Sequence, residues 1–216
     1  GEPITPEELD QLNSLLHTRN PNVDLSTLRE VYPDTAVPLA HILRAAASVA
    51  HDDEVIVVGS QAILGSFDED DLPEPAHASI EADVFFANDP GLLKADTVDG
   101  VLGEDSHFHE MYGYYAQGVD VNTATLADGW QERLVRFSPA AANGATGLCL
   151  ERHDLVLSKL VAGRPKDFEF VTAMLDAGLV DVGVLRTRAE LLPVVPMRIR
   201  RVGHWLDAYV VSRTSR

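Results

Sequence analysis

No run of apolar residues in this chain approaches the ~20 needed to cross a bilayer, so no transmembrane segment is expected. Cysteine is nearly absent. Cys149 stands alone, which excludes an internal disulfide framework and suits a reducing, cytoplasmic compartment. Within "GLCL" it has no catalytic neighbours and reads as a small buried hydrophobe. The N-terminal "GEPITPEELDQL" lacks a basic region followed by an apolar stretch, so it is not expected to be a signal peptide. Internal repeats and low-complexity segments are missing too. Basic side chains are scarce where acids are dense. Residues 51–130 hold eighteen Asp and Glu, and Lys94 is their only Lys or Arg. A net charge of −17 over 216 residues excludes a general nucleic-acid coat protein.

A hydrophobic content of 45% is ample for a core, and the length allows one large domain or a medium one with a small satellite. From Arg152 onward there are eleven Lys and Arg, Arg198, Arg200 and Arg201 among them. The contrast between an acidic and a basic half has two readings. One is a solvated surface; the other is a metal-binding half opposite a half that holds phosphates.

Periodicity lays out the elements. "TPEELDQLNSLL" has Thr5 as N-cap, Pro6 at the first helical position and Glu8 at the capping-box position, and so predicts a helix. "AVPLAHILRAAASVA" predicts a second, amphipathic one. "VIVV" is a short buried strand, "ILGSFDEDDLPEPAHAS" a polar loop with prolines, and "EADVFFA" another strand. "FHEMYGYYAQGVDVNTATL" suggests two strands around Gly118, and "ERLVRF" and "TGLCL" are further strand candidates. Beyond residue 150 the period is helical, broken at Gly163-Arg164-Pro165 and at Gly178, with "VPMRIRRVGHWLDAYVVSR" as the last helix. The plan is α+β: two helices, a mixed sheet with flanking helices, and a helical C-terminal part.

The chemistry begins at "EVIVVGSQAI". A strand that ends on Gly59-Ser60 and turns into a helix can receive an anion, because glycine admits a phosphate to the backbone and the first helical N–H groups point at it. The same corner can be a plain turn with Ser60 as cap. In "SIEADVFF", Glu81 and Asp83 stand two apart in a strand and share a face. Among apolar neighbours, a divalent cation is the cheapest way to keep both ionised; a solvent-facing pair is the alternative. Asp120, in "QGVDVNT", is a third acid within a predicted strand. Three carboxylates on neighbouring strands can hold two Mg²⁺ for phosphoryl transfer, and each alone can be an exposed or capping acid.

Lys159 shares its helix with Leu155, Val156 and Leu160. It is either a surface lysine lying along apolar neighbours or a point charge for a triphosphate oxygen. Arg164 and Lys166 flank Pro165 at a helix start and could hold the same phosphates. Asp167, in the first turn, suits the helix dipole whatever else it does; its functional role would be to orient Lys159 or the acceptor. His107 and His109 share a face if "SHFHEMYGYY" is a strand, but no third ligand is in register. Phe108, Tyr112, Tyr114 and Tyr115 read as core and sheet-face residues rather than a base-stacking platform, Trp130 and Trp205 as structural, and Asp154 as a helix cap.

Together these residues resemble the DNA polymerase β-like nucleotidyltransferase superfamily: a strand-end Gly-Ser, a helix, a carboxylate-x-carboxylate strand and a later carboxylate. "HDLVLSKLVAGRPKDFEFV" looks like the C-terminal motif of AbiEii-type nucleotidyltransferase-like proteins of abortive-infection and toxin–antitoxin systems, in an uncharacterised bacterial branch. The likeness covers roughly residues 50–180. It departs at Glu81, where Asp is usual, and in the acidic insert "FDEDDLPEPAHAS".

The resemblance implies a nucleotidyltransferase-like α/β domain with N-terminal helices over 1–150 and a helical subdomain over 151–216. It implies Glu81, Asp83 and Asp120 as ligands of two Mg²⁺, Gly59 and Ser60 with Arg164 and Lys166 as the triphosphate site, and Lys159 and Asp167 completing the catalytic set. The substrate would be a nucleoside triphosphate. The acceptor would be a tRNA end, a protein or a small molecule, and an antitoxin a partner. The C-terminal helices are expected to cover the sheet so that Lys159 faces the acids. A catalytically inactive nucleotide-binding or interaction module of the same fold is the alternative, and a kinase-like use a weaker one.

Overall fold

The computed structural model describes residues 37–214. The helix expected over 5–16 lies outside them. The chain divides into two compact units. The first comprises residues 37–57, Ile80–Asp120 and Arg136–Leu148 of the described chain; the second comprises Val58–Ser79, Val121–Val135 and Cys149 onward.

The first unit carries the sheet, apart from the strand-end residues Val58, Val135 and Cys149. Five strands, β1 (Glu54–Val58), β2 (Glu81–Phe85), β3 (Tyr115–Gly118), β4 (Val135–Phe137) and β5 (Thr146–Cys149), lie in the order β3-β2-β1-β5-β4 in a mixed sheet. Helix α1 (Val37–Ala50) buries Leu39, Ile42, Leu43 and Ala46 at helical spacing. Helix α2 (Glu74–His77) belongs to the second unit, and in the first α3 (Leu93–Leu102) packs on α1 and on β3 through Ala95, Val98 and Leu102. β2 and β3 are parallel, with Glu81 beside Tyr115, Asp83 beside Gln117 and Val84 beside Gly118. Only glycine fits at 118. A Cβ there would lie 1.8 Å from the Ala95 carbonyl oxygen.

Three expectations fail in this unit. "HFHEMY" is not a strand but helix α4 (His107–Tyr112). The Ser106 Oγ accepts the His109 N–H at 3.1 Å, and Gly113 ends the helix with φ 76°. His107 and His109 therefore do not share a strand face. Only one strand, β3, occupies this stretch, and it stops at Gly118. Asp120 thus lies past its end, just before a 3-10 turn (Val121–Thr123), rather than inside a strand. The aromatics behave as expected: Tyr114 and Tyr115 are buried, and Phe108, Tyr112 and Tyr114 enclose His41.

The second unit is helical. Helices α5 (Arg152–Ala162), α6 (Pro165–Asp176), α7 (Val182–Ala189) and α8 (Pro196–Thr214) match the predicted breaks, with Gly163 (φ 67°) closing α5 and Gly178 (φ 67°) just after α6. Leu155, Leu157, Phe170, Met174, Leu185 and Leu206 form the core. The polar loop before β2 is itself partly helical, with a 3-10 turn at Glu69–Asp71 followed by α2. Residues 130–133 form a 3-10 turn rather than the start of the strand read in "ERLVRF". Asp154 does not cap α5. Glu151 does, accepting the His153 N–H at 3.0 Å, while Asp154 is fully buried beside Arg133 at 2.6 Å and Arg188 at 3.4 Å. Cys149 is fully buried and unpaired, and burial pushes its thiol up to about 12. Among the described residues, no helix is long and apolar enough to cross a membrane.

Candidate active site

β1 ends at Val58 and the chain turns at once, as expected. Gly59 sits at φ 69°, ψ −168°, a conformation essentially confined to glycine. The next element is a six-residue 3-10 helix, Ser60–Gly65, not an α-helix. Its buried residues, Gln61, Ala62, Ile63 and Leu64, leave little room for a regular surface helix. Such a short turn carries less aligned dipole than an α-helix. Positive charge reaches this corner from elsewhere.

That charge is Lys159. Helix α5 packs against the 3-10 turn and brings the ammonium to the serine: Lys159 Nζ donates to Ser60 Oγ at 2.9 Å. Ser60 is thus an acceptor for lysine and makes no side-chain cap. Lys159 lies 3.6 Å from Asp167 and 4.5 Å from the centre of the Phe170 ring. Only 7% of the residue meets solvent, so it is not a surface lysine. Burial pushes its pKa down; the nearby Asp167 pulls the other way.

Asp167 is fully buried in the first turn of α6. Its Oδ2 accepts the Arg164 backbone N–H at 3.1 Å and Nε at 2.8 Å, and its Oδ1 accepts from Arg164 Nη2 at 3.2 Å. Burial alone would raise its pKa, but these bonds and Lys159 hold it below the usual carboxylate range. The Arg164 side chain is 60% exposed, and Lys166 is exposed beside it. Ser60, Lys159, Asp167 and Arg164 therefore form one chain of contacts, with exposed positive charge at its end. A phosphate fits that chemistry.

In the first unit, Glu81 and Asp83 share a half-buried face of β2, while Ala82 and Val84 point into the core. The alternation expected from the sequence is present. The in-register neighbour of Asp83 on β3 is Gln117; Asp120 lies three residues farther on. Among the described residues, no group of three or more His, Cys, Asp and Glu side chains forms a metal cage. Two half-exposed carboxylates still suit Mg²⁺, which is usually held by one or two protein carboxylates and completes its shell with water and substrate phosphates. On those terms Glu81 and Asp83 are the residues that would hold such an ion.

Two features escaped the sequence. The β2–β3 register sets Tyr115 beside Glu81, and burial raises the Tyr115 pKa, with the charges of Glu81, Glu104 and Asp83 adding to the rise. In the second unit, Glu151, Arg133 and Arg188, all part-buried, form a polar network with the buried His153 and Asp154. The hydrogen bonds from His153 and Arg188 outweigh burial and pull Glu151 down to about 2. No local spacing signals either.

Residues 38–194 match the family described as nucleotidyltransferase of unknown function (DUF6036), so this chain belongs to that family. No curated protein and no solved structure gives a significant match to it.

Proposed function

We propose that this protein transfers a nucleotidyl group from a nucleoside triphosphate to an acceptor with Mg²⁺. The observation that supports the reading most is the buried Lys159, donating to Ser60 and steadied by Asp167. A buried ammonium beside a glycine turn is hard to explain by packing alone, since an apolar side chain would fill the space without desolvating a charge.

In this reading Ser60 and the backbone at Gly59 receive the β- and γ-phosphates. Lys159 neutralises the charge that gathers there, and Asp167 keeps it protonated and aimed. Arg164 and Lys166 meet the phosphates from the exposed side. Glu81 and Asp83 hold Mg²⁺, which supplies positive charge to the triphosphate; Asp120 is assigned to the same task. The acceptor oxygen bonds to the α-phosphorus, the α–β bridging bond breaks, and pyrophosphate leaves. This is catalysis by positioning and electrostatics. The acceptor is a tRNA end, a protein or a small molecule. The lone buried cysteine supports a cytoplasmic setting, and the resemblance of the sequence to AbiEii-type proteins supports an antitoxin partner and a toxin–antitoxin role.

A second reading is a triphosphate-binding module that transfers nothing. It is favoured by the position of Asp120 beyond β3 and by the lack, among the described residues, of a three-ligand metal group. One experiment separates the two. The full chain is incubated with each α-labelled triphosphate, Mg²⁺ and a cell extract, and label is sought on RNA, protein and small molecules. Label on any of them supports transfer. A triphosphate-induced rise in melting temperature without label leaves the module. Neither effect rejects both.

A further inference from the structure

Helix α8 carries positive charge where a helix tolerates it least. Arg198 stands in its first turn and Arg200 and Arg201 in its second, near the positive end of the helix dipole, and the first turn holds no acid. All three are exposed. Among the described residues, none of their side chains has an ion-pair, hydrogen-bond or ring partner. Every other arginine described in this unit meets a carboxylate. In a chain of net charge −17, neither packing nor pairing accounts for three such cations side by side. An anion from outside does.

Aromatic rings continue the row. Arg198, Arg201, Trp205 and Tyr209 recur at spacings of three, four and four, so they share one face of α8. Phe168, at the start of α6, meets Trp205 with ring centroids 5.6 Å apart and planes at 17°; Tyr209 meets it at 5.9 Å and 12°. The three rings are near-parallel, and each is only half-buried. Phe168 directly follows Asp167, and Lys166 and the Arg164 side chain are exposed at the same helix start. Unpaired cations in line with partly open π-faces are the combination that holds a single strand: arginine takes phosphate, and the ring takes a base.

We propose that this face of α8 is a docking surface for single-stranded RNA, with phosphates on Arg198 and Arg201 and bases on the Trp205 and Tyr209 rings. Arg200 adds charge from the flank. An acidic protein would satisfy the arginines but offers no flat bases to near-parallel rings. A membrane surface asks for an apolar face beside the cations, whereas α8 gives Val202 and Leu206 to the core. The net charge of −17 repels RNA elsewhere, which confines a strand to this face. The same row reaches α6 beside Arg164 and Lys166. Among the acceptors of the proposed function it therefore selects an RNA end, and that part rests on the proposed function.

The test uses the full chain without triphosphate or Mg²⁺, and a fluorescein-labelled oligoadenylate RNA of about ten nucleotides, read by anisotropy over a range of salt. Arg198→Ala combined with Arg201→Ala should weaken binding about tenfold at low salt, each lost phosphate contact flattening the log–log salt dependence by about 0.7. Both side chains are exposed and unpaired, so the melting temperature should move by no more than roughly a degree or two. Trp205→Leu should bind about tenfold more weakly. Trp205→Phe keeps a ring against Phe168, and the oligomer should quench tryptophan emission in the wild type but not in this variant. Should Trp205→Leu fail to fold, the arginine pair and the quenching decide. Unchanged affinity in the arginine variant overturns the proposal, and so does quenching that survives in Trp205→Phe. Preference for a duplex or for a DNA oligomer overturns it too, as does binding of phosphatidylserine vesicles or polyglutamate with no binding of the RNA. RNA binding by a chain that labels no acceptor keeps this surface and rejects transfer. Label on protein alone, with no RNA bound, keeps transfer and overturns this surface.

Discussion

In the second unit the Lys159 ammonium has Ser60 at 2.9 Å, Asp167 at 3.6 Å and the Phe170 ring at 4.5 Å, while Arg164 closes around Asp167. In the first unit Glu81 and Asp83 stand half-buried on one face of β2, two like charges side by side. The lysine cluster is a satisfied network and keeps its shape without a ligand. In the proposed function the acid pair gains from an arriving cation. Mutations should therefore act in opposite ways: breaking the cluster damages the fold first, and breaking the pair damages binding first.

The largest effect is expected for Asp167→Ala. It removes the fully buried partner of Lys159 and of the Arg164 backbone. Losing one side of such a pair typically destabilises by about 3–5 kcal/mol, which for a chain of this size lowers the melting temperature by roughly 10 °C. A melting temperature within two degrees of wild type would show that the cluster is not structural, and the contrast between the units would fail.

Asp83→Asn sharpens the other side. It keeps the size and removes one of two like charges. The metal-free stability is expected to stay level or rise, by up to about 1 kcal/mol. The stabilisation by Mg²⁺ with a triphosphate should vanish. If Asn instead destabilises by about 1–3 kcal/mol and ligand-induced stabilisation persists, Asp83 is a structural acid.

The origin of this asymmetry was only partly visible in the sequence. Period-two alternation in "EADVF" placed Glu81 and Asp83 on one face, because β2 buries Ala82 and Val84 on the other. Glycine and proline breaks located α5 to α8, since those residues act locally. The residues pointed to a nucleotidyltransferase-like protein, and the family that the chain matches is described as a nucleotidyltransferase of unknown function.

Features that depended on long-range contact were not readable. Lys159 and Ser60 are 99 positions apart, and only the packing of α5 on the 3-10 turn decides between a surface lysine and a buried one. Apparent alternation in "HFHEMYGYY" suggested a strand, yet Ser106 as N-cap and Gly113 as stop make it a helix. Gly118 ended β3 early, through its close approach to Ala95, and so left Asp120 outside the sheet. Asp154 obeyed the rule for an early-turn acid, but two arginines from other segments claimed it.

The burial of Lys159 makes a smaller, pH-dependent prediction. Its folded pKa lies below the ordinary 10.5. Between the two values the unfolded chain binds a proton that the folded chain has released, so this group makes stability rise with pH in that window and contributes nothing to the slope below it. Triphosphate binding goes the other way, because the neutral amine no longer attracts phosphate. Affinity measured from pH 7 to 10.5 should fall with a limiting slope of about tenfold per pH unit once the lysine titrates. Lys159→Arg keeps its charge throughout and should flatten that fall. A fall of the same size in the arginine variant would assign it to another group.

The smallest effect concerns an ion pair that resembles the buried ones in geometry alone. Arg136 Nη1 meets Glu54 Oε1 at 2.9 Å across the first unit's sheet, but the two side chains are 63% and 56% exposed. Water screens both, and holding two long side chains together offsets much of the attraction. Glu54→Gln is expected to change stability by less than about 1 kcal/mol, and the change should disappear in molar salt, where screening acts within ~3 Å. The Asp167 effect should persist in the same salt, because that carboxylate is out of reach of the solvent. Melts of both variants at low and high salt separate the two kinds of charge. If Glu54→Gln proved as damaging as Asp167→Ala, or if salt erased both effects equally, burial would not be what distinguishes the lysine cluster from the other ion pairs of this protein.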